Sequence, residues 1–542
     1  MIRRIYFRGG AAAALLAALG GCASGPERPR ADFLDTPSVS RAVEQAGGRN
    51  ASVSAWPEDE WWRRFHDSAL DGVMAHALAE NRGLERAAAR LREAEGLVQV
   101  EGSRLLPFLD ADMGMRQSRI PNHGVVASYN PALAGLEKTM GFINPFRLQY
   151  EFDFWGKNRA AVAAALGESA AEAAELAQTR LLLTTSVARA YFRAAAAARQ
   201  AALARQIVDR RRDYLRVTEN AFRSGLETED AVKTAIEELE LSNKREAAAR
   251  ALLAFQQDLL ARLMGEGPDA TRDLFASGAA SATHRPLVLP ARLPIELLAH
   301  RPDLTAAMHR AEAAADRIHM AKAEFLPSVD LTAISGVEAS VTSTNAGKLA
   351  SYLFRASAFN YQVMPGVHLP IFEGGRLRGR LEVRRSEYDE AVELYNETLL
   401  DAVRQVADGL ANWRQTRSIL SAQERLLAAK RDQSRLAAGR WKSGLKDRRE
   451  TLAAESAVLE QSYVLRALEA DHLSAAVDVI QSLGGGYSNG VEVPRPRMAP
   501  EESLAGLEKL TPAWNFGAAT SAAASLLRSP AATEPAPAGA EK

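Results

Sequence analysis

The 542-residue chain holds a single cysteine, Cys22, which excludes an intrachain disulfide and a thiolate metal cluster. It carries no net charge, with Lys+Arg and Asp+Glu at 67 each, so nothing argues for nucleic acid as a partner. Past Cys22 no run of ~18 or more apolar residues occurs, which excludes a helical membrane span. Aromatic residues are scarce at 6%, whereas alanine is frequent. That balance suits long, closely packed helices better than compact cores. Length alone, about 520 residues beyond the first segment, would instead predict several ordinary domains.

Signs of catalysis are also missing. His300, His309 and His319 are nine and ten residues apart. A helical zinc site needs an i,i+4 pair, so these read as surface or packing histidines. Gly374-Gly375 and Gly484-Gly485-Gly486 lack a following Lys-Ser/Thr and read as turns rather than phosphate loops. No nucleophile-elbow pattern occurs. The sequence therefore predicts no enzyme, no cofactor and no metal.

What is present begins at the N-terminus. Arg3, Arg4 and Arg8 precede a short apolar run, Ala11 to Leu19, and then Gly20, Gly21 and Cys22. A run this short is a secretory signal, since a span needs ~20 apolar residues. Leu19-Gly20-Gly21-Cys22 resembles the bacterial lipobox, in which the cysteine thiol takes up lipid and becomes the new N-terminus. Small residues before the thiol let the peptidase approach the backbone. The resemblance implies a signal at 1–21, lipid (palmitate) attachment at Cys22, and a lipid-anchored linker over 22–55. Ala23, where inner-membrane retention calls for Asp, implies delivery to the outer membrane.

The strongest signal is an internal repeat. Leu106-Pro107 recurs as Leu326-Pro327, and Phe154-Trp155-Gly156 recurs as Phe372-Glu373-Gly374. Phe222-Arg223-Ser224-Gly225-Leu226 recurs as Trp441-Lys442-Ser443-Gly444-Leu445. The offset between the copies is nearly the same at all three landmarks. So long a period is not a solenoid repeat of ~20–50 residues; it marks a duplicated unit. The repeats are placed at 56–270 and 291–486, with a linker at 271–290 and a Pro/Ala/Ser-rich tail at 487–542, read as partly disordered.

Each unit reads helix, strand, loop, strand, very long helix, break, helix. Ser68 to about Ser103 is helical by pattern. Leu109, Ala111, Met113 and Met115 alternate with polar or small residues, as do Phe146, Leu148, Tyr150, Phe152 and Phe154. The second unit repeats the alternation with Phe359, Tyr361, Val363, Val367, Leu369 and Ile371, and Pro365 predicts a bulge there. Residues 160–222 hold no proline and a single glycine, Gly167. They predict a helix ~95 Å long, mirrored at 376–441. Seven-residue spacing at Leu176, Leu183 and Ala190, and at Ile207, Tyr214 and Ala221, predicts coiled-coil packing. Gly225 and Gly444 mark the reversals into further helices at ~228–264 and ~446–483.

Four strands per chain cannot close a barrel with a lumen, and lipid does not tolerate open edges. Three chains would supply twelve strands, within the range of outer-membrane barrels.

Taken in order, several segments resemble the TolC-like outer-membrane factors, in particular the lipoprotein branch of efflux systems (NodT/OprM-like). They are Cys22, Trp61-Trp62-Arg63-Arg64-Phe65, Phe152-Asp153-Phe154-Trp155-Gly156-Lys157-Asn158-Arg159, Arg301-Pro302-Asp303-Leu304, Phe325-Leu326-Pro327-Ser328 and Pro370-Ile371-Phe372-Glu373-Gly374-Gly375-Arg376. The fold class implied is mainly α with a β-barrel portion: a trimeric α-helical barrel joined to a twelve-stranded outer-membrane β-barrel. The function implied is the outer-membrane channel of a tripartite, RND-type efflux system. Its partners would be a periplasmic adaptor, an inner-membrane transporter and outer-membrane lipid. The alternatives are the exit duct of a type I protein secretion system and a non-channel coiled-coil lipoprotein scaffold.

The resemblance also implies sites. The reversals Arg223-Ser224-Gly225-Leu226 and Lys442-Ser443-Gly444-Leu445 would be the adaptor-docking tips. Acids six or nine residues past the second glycine would ring the periplasmic aperture; here the sixth is Glu450, beside Arg449, and the ninth is Ala453. The plain alternative for Glu450 is a solvated i,i+4 pair with Lys446, worth a few tenths of a kcal/mol.

Overall fold

The computed structural model describes residues 31–34, 37, 59–275, 300–341 and 346–487. The signal, Cys22, the inter-repeat linker beyond residue 275 and the tail beyond 487 lie outside the described residues.

A short 3-10 turn at Trp61–Phe65 opens the first unit, followed by helices α1 (Ser68–Glu80) and α2 (Arg82–Ser103). Strand β1 (Phe108–Arg119), a small helix α3 (Val125–Tyr129) and strand β2 (Glu137–Phe152) come next. Helices α4 (Lys157–Arg223) and α5 (Glu229–Met264) complete that unit. The second unit runs α6 (Pro302–Ala323), β3 (Ser328–Val341), α7 (Ala346–Leu353), β4 (Phe359–His368), α8 (Arg376–Lys442) and α9 (Arg448–Ser482). α4 and α8 each hold 67 residues, so their starts and their ends are displaced by the same offset, that of the reversal glycines. At 1.5 Å per residue each is ~100 Å long.

One helix was expected over Ser68–Ser103, but the chain breaks at Asn81. That residue takes an extended conformation, φ −70° and ψ 119°, and ends α1 while capping α2. Its Oδ1 accepts from the Gly83 and Leu84 amides at 2.8 and 3.1 Å, and its Nδ2 donates to the Leu263 carbonyl at 2.9 Å. Asparagine competes well for backbone partners outside a helix, and here it also ties the break to the end of α5.

The main core lies midway along the long helices. Trp61, Trp62 and Phe65 pack with Leu70 and Met74 of α1, Val187, Tyr191 and Phe192 of α4, Leu260 of α5 and Val477 and Ile480 of α9. Asp67 caps α1 and accepts from the Tyr191 hydroxyl at 2.9 Å. Burial first, and the Asp67 charge second, push the Tyr191 phenol well above its ordinary value. α6 lies against α8 through Leu304, Leu399 and Ala402, and α8 against α9 through Leu420, Leu427 and Leu465. Of the heptad positions expected in α4, Leu183, Ala190 and Ile207 are buried, while Leu176, Tyr214 and Ala221 are half-buried.

Arg301, 4% exposed, clamps three helices together. It donates to Asp303 beside it (2.6 and 3.0 Å), to Gln405 of α8 (3.0 Å) and to the Ser482 carbonyl of α9 (2.9 Å). The N-terminal strap runs along α8: Leu34 donates to Asn396 Oδ1 at 2.9 Å, Asn396 Nδ2 donates to the Asp32 carbonyl at 3.0 Å, and Phe33 stacks edge-on against Tyr395.

The strands form one antiparallel sheet in the order β1-β2-β3-β4. Its register breaks on β1 at Asp110/Asp112 and on β2 at Ile143/Phe146. Pro145 lies in both breaks. A proline in a central strand removes a ladder donor, and a bulge absorbs the loss. Gly336 sits opposite, where a side chain would collide, because an added Cβ would lie 2.4 Å from the Ile143 carbonyl oxygen. The bulge expected at Pro365 is not there: β3 and β4 pair without interruption through Leu331 and Pro365. β4 is the last strand of the chain's own sheet, where a proline removes a ladder donor without disturbing strands on both sides of it within the chain. β4 also ends at His368, short of Leu369 and Ile371.

Candidate functional site: sheet wall and hairpin tips

The register sorts the sheet into two chemically opposite faces. Met113, Ile143, Val337 and Phe359 lie in one row across the strands. On the same face lie the rows Leu109, Leu148, Ala333, Val363 and Phe152, Val329, Val367. The other face carries Asp110, Arg147, Ile334, Gln362 in one row and Glu151, Asp330, Gly366 in another. The apolar face is largely bare, with Met113 80%, Tyr361 72% and Val367 73% exposed. A sheet in water would bury such a face. An apolar outside with a polar inside is the pattern of an outer-membrane barrel wall. Among the described residues no helix is long and apolar enough to cross a membrane.

At the far end of the long helices two reversals share one geometry. In the first, the Gly225 amide donates to the Phe222 carbonyl and the Leu226 amide to the Ala221 carbonyl, both at 2.9 Å. In the second, Gly444 donates to Trp441 and Leu445 to Arg440, again at 2.9 Å. These paired bonds make a Schellman cap, which requires a left-handed residue; Gly225 and Gly444 have φ of +68° and +69°. Ser224 and Ser443 close the last turns by donating their hydroxyls to the Asn220 and Gly439 carbonyls at 2.9 and 3.0 Å. Leu226 and Leu445 are left protruding, 78% and 73% exposed. Arg223 pairs loosely with Glu219 at 3.9 Å. The Lys442 side chain is exposed.

The two charged residues expected at the aperture separate. Glu450, in the first turn of α9, is held by Arg440 of α8 at 2.7 Å, with Lys446 at 3.9 Å. Arg449 points elsewhere: its guanidinium joins Asp447, which caps α9, to Glu227 on the first reversal. The hydrogen bond from Arg449 holds the Glu227 carboxyl below the usual carboxylate range. Burial alone would raise Asp447, but hydrogen bonds from Arg449 outweigh it and bring it down. Arg449 in turn is raised by its bonds to Glu227 and Asp447. The two reversals of one chain are thus tied by one ion-paired bridge.

Sequence reasoning did not find Glu227, although a signal was there. Counted from the reversal glycines Gly225 and Gly444, the positions of Glu227, Glu229 and Asp230 in the first copy are those of Lys446, Arg448 and Arg449 in the second. Three sign reversals at equivalent positions mark complementary tips. Arg448 lies over the Trp441 ring at 4.4 Å, a cation–π contact.

His309 pairs with Glu312 at 2.9 Å, His300 contacts the Tyr487 carbonyl at 3.3 Å, and the His319 side chain is exposed. No cluster of three metal-ligating side chains occurs among the described residues.

A bare apolar wall on a four-stranded sheet, set on duplicated helical hairpins, defines an outer-membrane channel subunit. The model of the Outer membrane efflux protein family matches the chain twice, over residues 73–266 and 293–485, and the chain belongs to that family. The chain is 30% identical over 458 residues to the multidrug resistance outer membrane protein MdtP of Shigella flexneri, covering 82% of this chain and 90% of that one. The crystal structure of the outer membrane protein VceC from Vibrio cholerae superposes with a TM-score of 0.67 at 30% identity, over 80% of this chain and 100% of that one. The Campylobacter jejuni CmeC outer membrane channel shares the fold, with a TM-score of 0.73 at 19% identity, over 91% of this chain and 99% of that one. The chain is an outer-membrane efflux channel subunit with a TolC-like fold.

Proposed function

We propose that three copies of this chain form the exit conduit of a tripartite, RND-type efflux system, passing small molecules from a periplasmic adaptor and an inner-membrane transporter to the medium. The chain performs no catalysis in this reading and takes no cofactor. In this reading the repeats at 56–270 and 291–486 alternate around a pseudo-sixfold ring. Cys22 carries the lipid that anchors the 22–55 linker to the outer membrane.

The observation that supports it best is the sheet: one face apolar and bare, the other polar, and free edges at β1 and β4. Cyclic closure of three sheets removes the edges and turns the polar faces to a lumen. The tips Arg223-Ser224-Gly225-Leu226 and Lys442-Ser443-Gly444-Leu445 dock the adaptor, with Leu226 and Leu445 as apolar knobs. The Arg449–Glu227 bridge holds the two hairpins of each chain together and keeps the periplasmic end closed. Glu450, tied back by Arg440, lines the aperture.

The chain extracted from outer membranes in detergent is expected to run as a heat-modifiable trimer and to conduct in planar bilayers. A monomer released by salt alone would refute the conduit. Deleting the gene should sensitise cells to some of a panel of toxic compounds. Leu226→Glu with Leu445→Glu should reproduce that sensitivity while leaving trimer and conductance intact; normal resistance in that double variant would remove the tips from docking.

A further inference from the structure

We propose that α7, in the loop between β3 and β4, is an interfacial helix that lies on the outer-leaflet boundary of the membrane, facing phosphate-bearing lipid head groups. The inference rests on the barrel reading of the sheet and goes beyond it.

α7 packs on the sheet, against β2 and β3. Leu349 and Leu353 are buried against Val341, with Val337 and Ala339 beside them. An added Cβ on Gly141 would meet the Leu349 and Leu353 side chains at 3.0 and 3.1 Å. Val337, Ala339, Val341 and Gly141 all belong to the rows of the apolar face. α7 therefore covers one end of the wall that elsewhere is bare. It sits over β2 and β3, the inner strands of the chain's sheet. A neighbouring protomer joins at β1 or β4, so no seam passes beneath α7.

Height places the helix. The apolar rows start near the long helices at Phe152, Val329 and Val367. From Val329 to Val341 the strand advances roughly 40 Å along its axis at ~3.3 Å per residue. With the strands tilted ~40°, that is ~30 Å of height, and the apolar band of such barrels is ~25 Å tall. The band ends between Val337 and Val341, where α7 rests.

The outward side of α7 has the matching chemistry. Tyr352 is half-exposed and Phe354 is 79% exposed. Arg355 lies over the Tyr352 ring at 4.5 Å and donates from Nε to the Ser351 carbonyl at 3.1 Å. Phe354 and Arg355 follow directly on the last residue of α7, and Lys348 is exposed on α7 itself. Aromatic side chains with nearby cations are what an interfacial helix presents to lipid, the rings at the acyl boundary and the charges at anionic head groups.

Single nitroxide labels test this in the full-length protein reconstituted into vesicles. Labels at Phe354→Cys, Tyr352→Cys, Val363→Cys and Leu226→Cys are compared for collision with oxygen, which partitions into lipid, and with a water-soluble nickel chelate. The label at Val363 should favour oxygen most, those at 352 and 354 should be intermediate, and the one at Leu226 should favour nickel. A Val363 label that behaves like the Leu226 label overturns the barrel reading itself. A lipid-immersed Val363 with position 354 as aqueous as Leu226 overturns the α7 proposal alone. Vesicles with phosphorylated anionic lipid in the outer leaflet should slow the label at 352 relative to zwitterionic vesicles, and Lys348→Gln with Arg355→Gln should erase the difference. Equal mobility in both vesicle types overturns the head-group assignment.

Discussion

At the residue scale the bridge from Arg449 to Glu227 separates two roles that adjacent positions had merged. Glu450 is tied within its own hairpin, whereas Arg449 links one hairpin to the other. Glu227→Gln or Arg449→Gln should therefore raise the open probability in single-channel recordings, and the double variant should add little, because the two act as one unit. Glu450→Gln should instead alter cation preference with little change in opening, since a ring of like charges filters ions. Equal conductance records for Arg449→Gln and the unaltered protein would remove the bridge from gating. Acid gives an independent check. Glu227 is depressed in the folded chain, so its contribution is complete above the ordinary glutamate value of ~4.3 and is lost as pH falls through the lower folded value. Open probability should stay flat from neutral pH down to the ordinary glutamate value of ~4.3 and climb only as pH falls further, through the lower folded value. In Glu227→Gln the same titration should show no climb from this group.

At the scale of elements, much of the fold was written in local pattern. Residues 160–222 lack proline and hold one glycine, and the helix runs Lys157–Arg223. The period-2 runs around Met113 and Phe146 lie in strands because one face meets no polar partner. What failed was the reading of single residues whose meaning depends on neighbours. Pro365 looks disruptive, yet it lies in the last strand of the chain's own sheet and β3 pairs with it unbroken, while Pro145, flanked by strands on both sides, lies at the bulge. Asn81 broke a helix that periodicity alone would carry through. The Arg301 motif was legible as a landmark, but its task was not, since its partners lie 104 and 181 residues away. Arg301→Met leaves Asp303 with the Leu304 amide but no countercharge, and the Ser482 carbonyl without the guanidinium. The loss should be about 3 kcal/mol, read as a clear drop in the temperature at which the trimer dissociates on heated gels. Conductance at room temperature should persist.

At the scale of the molecule, duplication and closure constrain each other. The two copies agree in helix length and in cap geometry, yet they oppose in charge at three tip positions. Identical copies could form a sixfold ring of separate half-chains; complementary copies favour alternation, acid beside base, around the axis. At the other end the sheet of the described residues ends at β1 and β4, and in the proposed trimer one protomer's β4 meets its neighbour's β1. Cysteines placed on β1 at Met113 and neighbouring positions, combined in one chain with cysteines along β4 around Val363, should cross-link between chains under mild oxidation. On denaturing gels the ladder should stop at three chains, because the third bond closes the ring. Cross-links confined within single chains, or a ladder continuing to four and beyond, would break the link between four strands per chain and a closed twelve-stranded wall. Cys22 does not confuse the readout where its thiol carries lipid, and the unsubstituted protein gives the baseline.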